Sequence, residues 1–272
     1  MRKKILLPVF KNIKFTKNYL IFSPQFEQKQ SERIIIAFSL KNFNYDLRAG
    51  ENKTARTRII SARQRMFTDL GIDFKKAVFL EQVHKNKVAK INSSKQNAGI
   101  VSFAESISGA DGAITQNKGR ALCLLTADCL PIIFWDPGKK AIGIAHAGWR
   151  GTKQAIVRNL LEKMQKQFQS DPAQIKTCFG PGIRDCCYEV GFEFKKIFPD
   201  FIRENKKTRR IYLDLIQANT VQMKTFGVRE KNIFDLKLCT KCNSGIFYSY
   251  RRENTDKRML SLICRPPDQA EA

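Results

Sequence analysis

The amino-acid sequence predicts a single α+β domain with mixed β-sheets. The chain has 272 residues, of which 43% are hydrophobic, and this is enough to bury one sizeable core. Short β-branched runs are intermixed with amphipathic helical patterns, without a strict βαβ repeat and without a visible internal repeat. We therefore expect residues 1–272 to form one domain.

Three helices are predicted from apolar residues that recur at about the 3.6-residue helical period. The first follows Asn52, which can cap its N-terminus, and stops at Gly71. The second covers residues 153–168 and has the clearest amphipathic pattern in the chain. The third covers residues 213–226 and stops at Gly227.

Runs rich in β-branched and aromatic residues, bounded by turn-forming residues, predict the strands. They lie at residues 33–39, 77–83, 88–91, 111–115, 121–126, 132–135, 141–145, 175–179, 245–250 and 259–265. The segment 121–152 stands out among them, because each of two apolar runs in it leads to a reactive side chain and a glycine-rich step follows.

The chain is strongly basic. Lysine and arginine outnumber aspartate and glutamate by 49 to 25, which gives a formal charge of +24. Such a charge attracts phosphate-bearing partners. The basic residues are spread along the chain and are not interleaved with aromatic residues, so the sequence disfavours a nucleic-acid-binding protein without turnover, which remains a remote alternative.

No apolar run approaches the length of a membrane span, and we expect no association with a membrane. The eight cysteines are predicted to be mostly reduced thiols in a cytoplasmic protein. Few of these cysteines need a special role, because free cysteine is an ordinary small core residue.

The sharpest set of candidate functional residues combines Cys129 with the two histidines of the chain, His84 and His146. A thiolate and two imidazoles suit zinc, and three protein ligands leave the fourth tetrahedral position open, as in catalytic sites. A second interpretation makes Cys129 the nucleophile of a hydrolase with a histidine as its base, oriented by Asp128 or Glu81. A third is a pair of buried histidines and a core cysteine. The residues alone leave these open.

The glycine-rich step at residues 147–152 precedes the second predicted helix and is a candidate anion site. Gly148 and Gly151 would let backbone N–H groups approach an anion, and Arg150 would add a bidentate guanidinium. The alternative is a simple turn with a helix cap at Thr152.

A lone CxxC motif occurs at Cys239 and Cys242. A structural zinc site requires a second pair of ligands, and the adjacent residues Cys186 and Cys187 fit that requirement poorly. We interpret these four as ordinary loop cysteines.

Several motifs together give the chain a resemblance to a known family. They are Gln82-Val83-His84, Ala110-Asp111-Gly112, TADCLP at 126–131, AHAGWRGT at 145–152, GPGI at 180–183, CYEVG at 187–191, Cys239-Thr240 and YSYRR at 248–252. In this order and spacing the sequence resembles the laccase-domain family, first labelled polyphenol oxidase and described as purine nucleoside phosphorylases with adenosine deaminase activity. The resemblance covers about residues 77–265.

The resemblance implies one catalytic zinc ion bound by His84, Cys129 and His146, in a four-layer α/β/β/α fold. It implies phosphorolysis of adenosine, inosine and 5′-methylthioadenosine, and deamination of adenosine, with purine nucleosides and phosphate as partners. Copper is the less favoured metal, because a multicopper phenol oxidase needs more imidazoles than two histidines supply. The chain departs from the family pattern at residues 39–47 and 256–258.

This reading assigns further roles by position in the sequence. Asp128 is the carboxylate nearest in sequence to a ligand and is predicted to shuttle a proton. Arg150, with the backbone of Gly148 and Gly151, is predicted to bind phosphate.

Overall fold

The computed structural model of the chain describes residues 13–23, 33–50, 52–93 and 98–267. Within these ranges the strands are β1 (Ile13–Phe15), β2 (Tyr19–Phe22), β3 (Ile35–Ser39), β4 (Ala77–Phe79), β5 (Val88–Lys90), β6 (Gly112–Thr115), β7 (Ala121–Thr126), β8 (Leu130–Asp136), β9 (Ala141–Ala147), β10 (Lys176–Phe179), β11 (Glu189–Val190), β12 (Ile202–Glu204), β13 (Ile211–Leu213), β14 (Ile233–Asp235) and β15 (Met259–Cys264). The α-helices are α1 (Lys53–Asp69), α2 (Trp149–Lys153), α3 (Ile156–Phe168), α4 (Phe194–Ile197), α5 (Leu215–Phe226) and α6 (Tyr250–Glu253).

Two six-stranded mixed sheets form the centre of the molecule. The first has the strand order β1-β2-β3-β15-β7-β4, and the second has the order β14-β10-β8-β9-β6-β5. In the first sheet β7 pairs antiparallel with β15 and parallel with β4. In the second, β8 and β9 form an antiparallel pair whose register runs from Leu130 opposite Ala147 to Asp136 opposite Ala141. Strands β11, β13 and β12 form a small third sheet.

The two large sheets pack face to face across a shared core. Because successive side chains of a strand point to opposite faces, alternate residues of one strand enter different cores. Ile36 and Phe38 of β3 join Ile133 and Trp135 of β8 in the core between the sheets.

A helical layer covers the outer face of each large sheet. Met66 of α1 packs with Ala37 of β3 on the outside of the first sheet. Leu160 of α3 packs with Phe134 of β8 on the outside of the second, where α5 also contributes. These layers confirm the predicted α/β/β/α arrangement. Among the described residues, no helix combines the length and the apolar character needed to cross a bilayer.

The predicted helices are present, with two revised boundaries: the second helix begins at Ile156, and the third begins at Leu215 because Leu213 belongs to β13. The side chain of Asn52 caps α1 by accepting a hydrogen bond from the backbone N–H of Ala55, and Gly71 follows the helix in a left-handed conformation with φ of 65°. The second predicted helix begins later than expected. Gln154 ends the short helix α2, and Ala155 has φ of 59° before α3 starts. Thr152 is therefore inside α2 and is not the cap of a helix.

Two strand predictions need correction. The run 77–83 forms a strand only as far as Phe79, because the residues beyond it leave the sheet toward the loop that carries His84. The run 245–250 forms no strand. Its backbone instead closes turns, since the N–H groups of Ile246 and Phe247 both donate to the carbonyl of Asn243. The described strands β1, β2, β11, β12, β13 and β14 were not predicted.

Candidate metal centre

Three side chains from separate parts of the chain meet at one end of the two sheets. His84 lies in the loop between β4 and β5, Cys129 lies between β7 of the first sheet and β8 of the second, and His146 lies on β9. Their potential ligand atoms all lie within 4.8 Å of one another. The fold thus brings together the three residues that the sequence singled out, in a group that could hold a metal ion.

The backbone has a positive φ angle at His84 and at Asp128, the residue before Cys129. His84 has φ of 59° and Asp128, which precedes Cys129, has φ of 97°. Residues other than glycine avoid this region, and holding one there costs on the order of 1–3 kcal/mol. The conformation of Asp128 accompanies the sharp passage of the chain from the first sheet to the second.

Asp111 organises the group. Its Oδ1 accepts hydrogen bonds from Nδ1 of His146 at 2.8 Å and from the backbone N–H of His84 at 2.9 Å. Its Oδ2 accepts from the backbone N–H groups of Val83 and Lys85 at 3.1 Å and 2.8 Å. One fully buried carboxylate therefore fixes the imidazole of His146 and the backbone of the loop that presents His84. With Nδ1 engaged, Nε2 of His146 is the atom that remains for a metal.

The charges of Cys129 and His146 depend on each other. Burial opposes a charge on either side chain. Nevertheless, the neighbouring His146 lowers the pKa of the Cys129 thiol to about 6. Burial would also lower the pKa of His146, but Cys129 and Asp111 raise it to about 9. Both pKa shifts favour a thiolate on Cys129 beside an imidazolium on His146. A thiolate is the form that binds a metal, whereas the imidazolium must first release its proton.

The surroundings leave the centre accessible from one side. His146 is buried and Cys129 is half-buried, whereas His84 is exposed. Solvent can therefore reach the centre beside His84. Two histidines and one thiolate are donors typical of metal sites that keep a position for a substrate or water.

Gly148 is required next to Cys129. A Cβ atom at this position would lie only 2.8 Å from the sulfur of Cys129, which is closer than real Cβ atoms come to a neighbour. Gly151 is also enclosed, since a Cβ there would lie 3.2 Å from the carbonyl oxygens of His146 and Lys85. Both glycines therefore allow close packing of the backbone around the centre. Arg150, in contrast, is exposed and its guanidinium lies 4.4 Å from the ring centroid of Trp149.

Asp128 is hydrogen-bonded through both of its carboxylate oxygens. Thr240 donates its hydroxyl to Oδ1 at 2.6 Å, and the backbone N–H of Arg251 donates to Oδ2 at 2.7 Å. The side chain is buried. Asp128 thus ties the strand connection that carries Cys129 to two later segments of the chain.

Sequence reasoning missed several residues that support the centre. The role of Asp111 was not recognised, although its Ala-Asp-Gly motif was noted. Gln82, next to the loop of His84, exchanges two hydrogen bonds with the backbone of Leu125 and joins that loop to the end of β7. The signal available was proximity to the histidine in the Gln82-Val83-His84 motif. Tyr188 lies close enough to Cys129 for the thiolate to raise the pKa of its hydroxyl, although burial contributes more to that increase.

The expectation for the other cysteines is corrected by the geometry. The sulfur atoms of Cys186, Cys187, Cys239 and Cys242 lie within 4.8 Å of one another. The adjacent pair and the CxxC motif, which appeared poorly matched in the sequence, are thus brought into one cluster.

The four-layer fold brings two histidines and a cysteine together in a group that could hold a metal ion. Residues 36–266 match the family described as multi-copper polyphenol oxidoreductase laccase, and the chain belongs to this family.

Named relatives are similar over most of the chain. Purine nucleoside phosphorylase YlmD of Geobacillus stearothermophilus is 33% identical over 232 residues, which are 82% of this chain and 84% of that protein. Adenosine deaminase RL5, from an unknown prokaryotic organism, is 31% identical over 202 residues, which are 72% of this chain and 77% of that protein. Both relatives are named as enzymes, which confirms the prediction that this protein is an enzyme.

Solved structures share the fold. The crystal structure of YlmD from Geobacillus stearothermophilus superposes with a TM-score of 0.85 at 30% identity, and the match covers 93% of this chain and 98% of that chain. A hypothetical protein YfiH from Bacillus licheniformis gives a TM-score of 0.84 at 24% identity, over 94% of this chain and 99% of that chain, and supports the fold alone.

Proposed function

We propose that this protein is a purine nucleoside phosphorylase with adenosine deaminase activity, and that its centre of His84, Cys129 and His146 binds zinc. The observation that carries the proposal is the convergence of these three donors within 4.8 Å. The substrate class follows from the names of the relatives. Adenosine, inosine and 5′-methylthioadenosine are the proposed nucleosides, and phosphate is the second substrate.

The donors fit zinc better than copper used for oxidation. A thiolate with two imidazoles is a borderline-soft set, and zinc sites in enzymes commonly have three protein ligands. The chain contains only two histidines, which are too few for the several copper sites of a multicopper oxidase. When bound, zinc would supply Lewis acidity to an atom of the substrate.

Residues of this chain would hold the other reactants. Arg150 is our proposed ligand for phosphate, because its exposed guanidinium is a bidentate donor in the helical turn that follows Gly148. The backbone N–H groups of Gly148 and Gly151 are the proposed partners of Arg150 in binding phosphate. Asp128 is our proposed proton shuttle, and the hydrogen bonds that its two oxygens accept also help to position Cys129.

The proposal is tested by incubating the protein with adenosine or inosine and separating the products by chromatography. Phosphorolysis gives free base and a pentose 1-phosphate only when phosphate is present, whereas deamination gives inosine from adenosine without phosphate. His84→Ala is expected to lose one equivalent of zinc and to lower both activities by more than about 100-fold, since even groups that merely support ligands contribute about 10–100-fold. Lys85→Ala, in the same exposed loop, is the matched control. Undiminished activity in His84→Ala would overturn the proposal.

A cysteine hydrolase is the second candidate, because the pKa of Cys129 is lowered to about 6 beside a histidine. The two functions respond differently to treatment. A cysteine hydrolase would retain its activity after removal of metal and lose it on alkylation of the thiol. The proposed phosphorylase would lose activity after chelation and regain it with added zinc.

We also infer a reducing, cytoplasmic location. All eight cysteines are free thiols, including those whose sulfurs lie close together. Free thiols persist in such a compartment.

A further inference from the structure

The cluster of Cys186, Cys187, Cys239 and Cys242 lies outside the centre described above. Cys186 and Cys187 follow β10 and its turn, and Cys239 and Cys242 follow β14. The sulfur of Cys242 lies 3.6 Å from that of Cys186 and 3.3 Å from that of Cys187. We propose that these four cysteines form a second, structural metal site, which binds one Zn²⁺ through four thiolates.

The spacing of the sulfur atoms fits a single tetrahedral ion. Zinc–sulfur bonds of about 2.3 Å place the corners of a tetrahedron roughly 3.8 Å apart. The four sulfurs of the cluster lie within 4.8 Å of one another, with the two close pairs below 3.8 Å. An iron–sulfur cluster would need more widely spaced sulfurs, because several iron atoms lie between its cysteine ligands. Four thiolates without another ligand are the donor set of closed, structural zinc sites.

The backbone already holds the two halves of the site together. Gly182, near the first pair of cysteines, forms a bridge with Cys239, and its N–H and carbonyl exchange hydrogen bonds with Leu238 and Thr240 at 3.1 Å each. The chain then turns, because the side chain of Asn243 donates to the carbonyl of Cys239 at 2.8 Å. The ligand positions are therefore set by the fold and do not depend on long flexible loops.

Nearby backbone N–H groups support a thiolate at Cys239. Burial raises the pKa of this thiol, but the backbone N–H groups of Cys242 and Arg184 contribute to a net pKa below the ordinary value. The guanidinium of Arg252 is ion-paired with Glu253 and also donates to the carbonyls of Thr240 and Lys241 at 2.7 Å and 2.9 Å, which fixes the CxxC loop. Four thiolates and one Zn²⁺ carry a net negative charge, and the backbone N–H groups near Cys239 would offset part of it.

The proposed ion would act on the His-Cys-His centre through Asp128. Thr240 follows the ligand Cys239 directly in the chain and donates its hydroxyl to Asp128, which precedes Cys129. A metal ion that fixed the CxxC loop would therefore fix Thr240, which is one of the two hydrogen-bond donors that hold Asp128 next to Cys129. Its role would be structural, since no position on the ion remains for a substrate.

The test measures zinc per chain in protein purified under reducing conditions. The wild type is expected to contain one equivalent more than the double variant Cys186→Ser/Cys242→Ser, in which both exposed ligands are replaced. Lys241→Ser, in the same loop, removes no sulfur and should keep the full complement. His84→Ala should lose only the equivalent of the His-Cys-His centre. A double variant that keeps all of the zinc of the wild type would overturn the inference without affecting the proposed function.

A second measurement covers the case in which the double variant fails to fold. His84→Ala loaded with Co²⁺ should show intense thiolate-to-cobalt charge-transfer absorption from the four-cysteine site. If the cysteines instead form a disulfide, the intact mass of the protein is lower by the hydrogens lost, and the cobalt charge-transfer absorption is absent. That result would overturn the inference.

Discussion

Asp111 shows how a single side chain can define a site without touching a substrate. Four donors converge on its carboxylate, which is completely buried: the ring of His146 and three consecutive backbone N–H groups from residues 83–85. The same carboxylate thus positions both imidazoles, one through its ring and the other through its backbone.

We expect Asp111→Asn to weaken zinc binding by about 10–100-fold, the usual effect of removing a carboxylate that supports a metal-bound histidine. Each oxygen of Asp111 accepts from N–H donors, and an amide can accept on one side only. Zinc affinity is measured by competition with a chromophoric chelator. Asp136→Asn is the control, because Asp136 is also buried but lies at the end of β8 that is remote from Cys129. Equal affinities of the two variants would contradict this role for Asp111.

Gly148→Ala is expected to displace the Cys129 sulfur, because the new Cβ would lie 2.8 Å from it. Overpacking of this kind costs about 1–3 kcal/mol, and here the side chain that must move is a ligand. We predict at least about a tenfold loss of zinc affinity with a folded circular dichroism spectrum. Gly245→Ala, where nothing lies within 4 Å of the added Cβ, is the matched control. Wild-type affinity in Gly148→Ala would show that the sulfur position is not critical.

Some of these residues could be recognised in the sequence and others could not. His84 and His146 stand out because the chain has no other histidine, and Cys129 ends an apolar run. The role of Asp111 depends on where its hydrogen-bond donors come from: three of the four belong to a loop 26–28 positions away, and the fourth is the ring of His146, 35 positions away. Proximity in sequence also suggested a proton shuttle at Asp128, whereas the carboxylate is hydrogen-bonded to residues more than 100 positions away.

Helices were predicted more reliably than short strands. The apolar stripe of α3 can be read directly from the sequence, because its buried residues follow the helical period. A strand of three residues, such as β4, is defined by its partners and not by its own pattern. The run 245–250 was predicted as a strand because it is apolar, but it forms none. Phe247 is fully buried in the core, although its backbone N–H closes a turn by donating to the carbonyl of Asn243.

The helix α3 should contribute strongly to stability. Leu160 is completely buried against the second sheet, and Leu→Ala replacements at such sites cost about 2–5 kcal/mol. We expect Leu160→Ala to lower the free energy of unfolding in urea by this amount. Gln165→Ala, on the exposed face of the same helix, should change the free energy by less than about 0.5 kcal/mol. Similar values for the two variants would mean that α3 contributes little to the core.

The molecule as a whole carries a formal charge of +24, which should favour encounters with anions. If phosphate is a substrate, its kcat/KM should fall by up to about tenfold as salt rises from about 20 to about 200 mM, because the Debye length shortens. The kcat/KM of the neutral nucleoside is the internal control and should change by less than about twofold. A phosphate kcat/KM that is independent of salt would show that the charge does not act on this substrate.

The place of β15 determines when the metal centre can form during synthesis. All three residues of the centre leave the ribosome long before Met259–Cys264, but β15 lies between β3 and β7 and completes the first sheet. Until β15 inserts, β3 and β7 of the first sheet have no strand between them to join them. A nascent chain truncated before residue 259 should therefore expose its histidines and cysteines without presenting them as a set. If the centre binds a metal ion as proposed, its three ligands would therefore form a complete set only after β15 has joined β3 and β7.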